Sequence, residues 1–168
     1  MDAALTSFEI RPSAVTDWEA LRDLRLEALL DTPAAYGSTH AEVATWTPDQ
    51  WREMASSPLT FVAVAGGALA GMARGGRNDH DPPESTARWL WGMYVSPVAR
   101  GSRVAGALVD MVAAWSRSDG GDEIRLFVSR DVPRARAFYE KSGFVVTGHS
   151  VAHDNQPERI FVEMRRPL

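Results

Sequence analysis

At 168 residues, with 45% hydrophobic and 24% charged side chains, the chain has the size and composition of one globular domain that can bury a core without staples. It contains no cysteine, which excludes disulfides, thiolate zinc sites and a cysteine nucleophile. A formal net charge of −4 argues against sequence-independent nucleic-acid binding; no apolar run reaches the roughly 18 residues of a membrane span; and Met1–Ser7 lacks the regions of a signal peptide, so a cytoplasmic protein is expected.

The charge is unevenly spread. Residues 97–141 carry 8 Lys/Arg against 6 Asp/Glu, and the rest of the chain carries 10 against 16. A locally basic segment in an acidic protein suits an anionic ligand held at one place, although ordinary surface variation gives the same numbers.

In chain order, Ser7–Arg11 alternates as a first strand stopped by Pro12. Thr16, with Glu19 three residues on, reads as a capping box opening a helix whose apolar stripe is Trp18, Leu21, Leu24, Ala28 and Leu29. Ala34–Thr45 has no period and reads as loop or short helix. Thr47-Pro48-Asp49-Gln50 is a second helix start, and that helix stops before Pro58. Leu59–Ala65 and Ala68–Arg74, joined by Gly66-Gly67, read as a hairpin. A polar loop over Gly75–Glu84 follows. Ala87–Val95 is then the strongest strand, with Trp89, Trp91, Met93 and Val95 expected on one face.

After Pro97 and Arg100-Gly101-Ser102 comes a helix with Val104, Leu108, Met111, Val112 and Trp115 as its buried stripe, ended by Gly120-Gly121. Glu123–Ser129 is a strand. Asp131–Ser142 is a helix carrying Ala135, Phe138 and Tyr139, with Gly143 as its C′ residue. Phe144–Gly148 and Ile160–Met164 read as closing strands joined by a polar loop through Asn155 and Pro157. Strand, helix and strand over 87–129 imply one parallel pair with a crossover helix, while the hairpins imply antiparallel pairs. The expected fold is α/β to α+β: a mixed, mostly antiparallel sheet with helices on both faces.

Several chemistries find no support. The single lysine, Lys141, lacks the glycines of a phosphate-binding P-loop, and no Gly-x-Gly occurs for a dinucleotide fingerprint. His40, His80, His149 and His153 form no His-Glu-x-x-His motif, and no metal site is expected. Ser96 and Ser129 lack a nucleophile-elbow context.

One constellation remains. Strand Trp91–Val95 and Pro97 lead into Arg100-Gly101-Ser102-Arg103-Val104-Ala105-Gly106 opening a helix; about thirty residues later Leu126-Phe127-Val128 leads to Pro133-Arg134-Ala135-Arg136-Ala137-Phe138-Tyr139-Glu140-Lys141-Ser142-Gly143-Phe144. A helix N-terminus offers unpaired N–H groups and about half a positive charge, which suits pyrophosphate. Gly101, Ser102, Ala105 and Gly106 are small enough for close backbone approach, and Arg100, Arg103 and Arg134 or Arg136 add charge.

In order and placement these two pieces resemble the GNAT superfamily of acyl-CoA-dependent N-acetyltransferases, and the order of elements carries the resemblance over essentially the whole chain as a single domain. Arg25-Leu26-Glu27-Ala28-Leu29 with Pro33-Ala34-Ala35-Tyr36-Gly37-Ser38 is similar to bacterial members. The resemblance implies acetyl-CoA as cosubstrate, bound where a parallel strand pair splays and touching Met93, Tyr94, Val95, Arg100, Gly101, Ser102, Arg103, Val104, Ala105, Gly106 and Arg134. It implies that Tyr139 stands near the departing sulfur as proton donor. Direct attack in a ternary complex is the mechanism that a chain without cysteine allows. Two positions depart from the family pattern: Arg103 stands where a motif glycine is usual, and Val132 where many members carry an asparagine.

The acceptor side is thinly marked. A lysine-like amine is neutral in about one molecule in 10³ at pH 7, so its proton needs a destination. Glu42 is the candidate base, ahead of Glu84 and His80, and Tyr36, Trp46 and Trp91 are candidates for an aromatic acceptor pocket. The expected acceptor is a small-molecule or peptide amine, with the acidic remainder of the chain suiting a cationic one; neither nucleic acid nor membrane is expected as a partner, and a homodimer is the assembly common in the family. A non-catalytic acyl-CoA-binding or sensor module, and an interaction module using Trp46 and Trp51, are the competing readings.

Overall fold

The computed structural model describes residues 7–168; Met1–Thr6, which hold most of the segment behind the signal-peptide reading, lie outside the described residues. Seven strands and five α-helices follow in the order β1 (Glu9–Pro12), α1 (Trp18–Asp31), α2 (His40–Val43), α3 (Pro48–Ser56), β2 (Thr60–Ala65), β3 (Ala68–Gly76), β4 (Ala87–Val95), α4 (Val104–Ser118), β5 (Glu123–Ser129), α5 (Pro133–Lys141), β6 (Val145–His153) and β7 (Gln156–Pro167). The strands form one sheet in the order β1-β2-β3-β4-β5-β7-β6, antiparallel throughout except for β4 beside β5. This is the mixed sheet expected from the sequence, with α4 as the crossover.

Each face of the sheet buries its own core. Leu108 and Val112 of α4 and Tyr139 of α5 pack with Phe61, Leu90, Ile124 and Leu126. On the other face Leu21 and Leu24 of α1 and Trp51 of α3 pack with Val62, Met72 and Tyr94. Local chemistry sets the ends of these elements. Gly66 and Gly67 both have positive φ, which the two-residue β2–β3 turn requires. Thr47 and Gln50 form the expected capping box: Gln50 N–H donates to Thr47 Oγ1 at 3.3 Å and Thr47 N–H to Gln50 Oε1 at 2.8 Å.

Three expectations change. The Thr16 capping box does not form. Asp17 accepts the Ala14 N–H at 2.7 Å and pairs with Arg11 at 2.7 Å, which sets a 3₁₀ turn over Val15–Asp17 ahead of α1. The closing strands are much longer than read, joined by Asp154-Asn155 alone. Their polar residues look like loop because β6 is an exposed edge strand, and Pro157 is tolerated because β5 pairs with β7 only from Phe161 onward. The third change is in β4 and makes the site. Among the described residues no helix is long and apolar enough to cross a membrane.

Candidate active site

Parallel pairing of β4 with β5 covers only Ala87–Trp89 against Glu123–Arg125. Beyond it the strands part. Along β3, Met72 faces Tyr94 and Arg74 faces Trp91, so β4 holds one residue too many, and Gly92 takes φ +59 there. Such a bulge bends and overtwists its strand. It also resets the alternation, so the expected common face of Trp89, Trp91, Met93 and Val95 is broken. Trp89 and Trp91 stack 6.2 Å apart, whereas Met93 and Val95 pack toward the α4 core and Tyr94 toward the α1 core.

The gap opens into a cleft of two chambers of about 370 and 350 Å³ that share Ala35, Tyr36, Met93, Val132, Ala135 and Tyr139. One chamber continues to Tyr94, Val95, Arg100, Gly101 and Arg134. The other continues to Arg25, Trp91, Gly92, Phe127 and Ser129. Thus the cleft brings Tyr139 together with Tyr36, Trp91, Met93, Tyr94, Val95, Arg100, Gly101 and Arg134.

The loop between β4 and α4 is shaped by Gly101, whose φ of +74 is a conformation L side chains rarely adopt. Arg103 has φ −82 and ψ 1, so the non-glycine at that motif position carries no left-handed strain. Ser102 donates to Ala99 O at 2.5 Å and accepts the Val104 N–H at 3.3 Å. Among the described residues the N–H groups of Gly101, Arg103, Ala105 and Gly106 find no acceptor, and buried Ser96 Oγ has no partner. Val104 turns its side chain into the core. Unmatched donors at the start of a fifteen-residue helix, flanked by small residues, form a cradle that fits a pyrophosphate.

The arginines are arranged differently from expectation. Arg100 donates to Val95 O at 3.2 Å and is ion-paired with Asp31 at the end of α1. Arg134 donates to Thr32 Oγ1 at 2.9 Å and stands 3.9 Å from the same carboxylate. Asp31 is therefore held below the usual carboxylate range, mainly by its bond to Arg100, which is raised in turn. Arg103 is exposed and pairs with no described carboxylate. Arg136 pairs with Glu140 on the outer side of α5.

Tyr139 is buried at the junction of the chambers, its ring edge-on to Phe138 and Phe144. Burial, with the neighbouring Tyr36 phenol, pushes its pKa well above the ordinary value near 10, so it stays protonated at any working pH. Tyr36 donates from its hydroxyl to Met93 O at 3.0 Å, and burial raises its pKa to about 12. Arg159 fixes the Tyr36 loop from β7, donating to the carbonyls of Pro33, Ala34 and Tyr36 at 3.1, 3.1 and 2.8 Å.

Other candidates lie elsewhere. Glu42 is fully exposed and caps its own helix, accepting the Thr39 N–H at 2.8 Å, which lowers its pKa. Trp46 packs on Trp51 at 4.9 Å within the α1 core. Glu84 and His80 sit on the exposed loop before β4. No carboxylate or histidine lines the inner chamber among the described residues. The sequence reading missed Gly92 and Arg25. A glycine inside a strong strand pattern was the available sign of the bulge, and an arginine between Leu21, Leu24 and Ala28 on an apolar helix face was the sign of the other.

Comparison with known proteins agrees with this geometry. The model of the acetyltransferase (GNAT) family matches residues 18–144. The chain belongs to the GNAT acetyltransferase family. No curated protein matches it in sequence. Among solved structures, a GCN5-related N-acetyltransferase from Kribbella flavida is 25% identical at a TM-score of 0.76, covering 96% of this chain and 98% of that one. yncA of Salmonella typhimurium, solved with its cofactor acetyl-CoA, is 19% identical at 0.77, covering 97% and 95%. The paia N-acetyltransferase of Thermoplasma acidophilum, solved with coenzyme A, is 19% identical at 0.73, covering 97% and 100%. Those last two structures hold acetyl-CoA and coenzyme A, and the donor cradle after β4 of this GNAT chain fits a pyrophosphate such as theirs.

Proposed function

We propose that this GNAT protein transfers acetyl from acetyl-CoA to a primary amine by direct attack in a ternary complex. The observation that carries this reading is the continuous cleft from the free N–H groups of the α4 loop, past Met93 and Tyr139, to an inner chamber on the far side of the bulge. Acetyl-CoA supplies a thioester whose carbonyl carbon bonds to the amine nitrogen as the carbon–sulfur bond breaks.

The residues of the chain hold and orient. Gly101, Arg103, Ala105 and Gly106 offer backbone donors to the pyrophosphate, with the Ser102 turn keeping them aimed. The β4 edge beyond Trp89 is unpaired on its β5 side and offers peptide groups to the pantetheine arm, as an added strand would use them. A peptide N–H near Val95 polarises the acetyl carbonyl. Val132 closes the wall where an asparagine would add a hydrogen bond, a difference of about 0.5–1.5 kcal/mol. Tyr139, neutral because it is buried, gives its phenolic proton to the departing sulfur. The amine's proton leaves to water, since among the described residues no carboxylate or histidine lines the inner chamber.

Calorimetric titration with acetyl-CoA, followed by thiol release with a panel of amines, tests the reading. Micromolar binding and turnover with some amine are expected. The base-free chamber also suits a non-catalytic acyl-CoA sensor, which predicts binding without turnover and no effect of Tyr139→Phe.

A further inference from the structure

Two guanidiniums beside the inner chamber have no counter-charge. Arg25 of α1 lines the chamber and lies over the Tyr36 ring, 4.6 Å from its centroid, with Nη1 buried and unbonded. Arg74 of β3 is opposite Trp91; its Cδ is 3.9 Å from where a Cβ at Gly92 would stand, and its Nε is buried and unbonded. No described carboxylate pairs with either side chain. Burial lowers both pKa values from the ordinary arginine value, and for Arg25 repulsion from Arg74 adds to this.

Buried polar groups in native proteins are almost always hydrogen-bonded, and buried charges are paired. A guanidinium left bare on the chamber wall, with a second unpaired one close by, is therefore a place where a ligand completes the structure. Arg25 is the charged residue among those lining the inner chamber. An acceptor with only positive charge, such as a polyamine, would meet repulsion there. The Tyr36 side chain spans the two ends of the problem: Arg25 sits on its ring, and its hydroxyl is bonded to Met93 O on the splayed strand. A short molecule can thus put an anionic group on the arginines and an amine at the splay.

We infer that the acceptor is a small amine that carries its own anionic group, of the amino-acid type, with Arg25 and Arg74 binding that group through their planar forks. This rests on the transferase reading above and narrows it. It also narrows the expectation of a small-molecule or peptide amine, which overall charge had suited to a cationic one.

The test uses matched acceptors at saturating acetyl-CoA: common α-amino acids, the amines that lack their carboxylate, and the corresponding aminoalkylphosphonates. The expected result is a kcat/KM preference of about tenfold or more for an anionic amine over its uncharged-end partner. Arg74→Gln and Arg25→Gln should reduce that preference toward parity through KM, with melting curves confirming the fold. Arg52→Gln, which removes an exposed charge paired with Asp49, should leave it unchanged. The phosphonate arm decides which anion the pair prefers. Parity in the unaltered protein, or a preference that survives both variants, overturns the inference. If nothing is acetylated, N-acetyl amino acids titrated calorimetrically into the protein separate the cases. Binding lost in Arg74→Gln keeps the anion site while the transferase reading fails, and no binding removes the anion site as well.

Discussion

The two chambers of the cleft are built from different materials. The outer one is mostly backbone: a left-handed glycine, a serine-braced turn, four unmatched N–H groups and a strand edge with no neighbour. The inner one is mostly side chains from distant parts of the chain: Arg25 and Tyr36 from the α1 region, Trp91 from β4, Phe127 from β5. A shared cosubstrate can be held by peptide groups, which any sequence supplies once the path of the chain is right. A particular acceptor needs particular side chains, and these change without disturbing the fold.

That contrast can be broken at several points. The largest expected effect is at the junction. Tyr139→Phe should lower kcat about a hundredfold or more with KM for acetyl-CoA unchanged, read in single-turnover thiol release; an unaltered kcat would move the proton donation elsewhere. Next, Gly101→Val has free space around its Cβ but must hold φ +74, a strain of about 1–2 kcal/mol. Acetyl-CoA affinity should fall about tenfold by calorimetry, while acceptor KM stays put. If both constants fall together, the chambers are not separable.

Tyr36→Phe removes the bond to Met93 O, worth about 0.5–1.5 kcal/mol, and should raise acceptor KM about two- to tenfold. The pH profile of kcat/KM sharpens the same point. With no base lining the inner chamber and Tyr139 held neutral, activity should climb with unit slope toward the pKa of the acceptor amine and show no falling limb up to about pH 10. A plateau near neutrality would reveal a base. The smallest effect belongs to Asp31. Asp31→Asn frees Arg100 and Arg134 and should tighten acetyl-CoA by about two- to fivefold at low salt. Because its folded pKa is depressed, the carboxylate's contribution to stability is present above the ordinary carboxylate pKa. It is lost as pH falls through the folded value, and melting curves between pH 5 and 3, roughly, would show this for the parent and not for Asp31→Asn.

Legibility in the sequence follows the same division. Helix stripes, the Thr47 cap, the Gly66-Gly67 turn and the α4 loop are local patterns, and each was readable because a few adjacent residues determine it. Arg103 looked like a departure from a motif, yet its backbone stays on the right-handed side and Gly101 takes the demanding conformation. Glu42 read as a base because carboxylates on loops are candidates for one; its own helix start claims it instead. Gly92 changes the register of one strand by one residue, which reverses which side chains look into the cleft. Arg25 and Arg74 meet only through the pairing of a helix and a strand nearly fifty positions apart, a juxtaposition that no local pattern announces. The closing hairpin was underestimated for a plainer reason: an exposed edge strand has no apolar alternation to show.

The short parallel seam between β4 and β5 has a consequence for how the protein survives in a crowded solution. Three paired residues per strand leave both strands with open peptide edges, and open edges invite other chains to add on and aggregate. Here the edges face each other inside the sheet, closed at one end by the seam and walled by Tyr36, Val132 and Tyr139. A foreign strand, with side chains on both faces, meets those walls before it can pair. A thin unbranched arm does not. The same geometry that leaves hydrogen-bonding capacity unused therefore also filters what can use it.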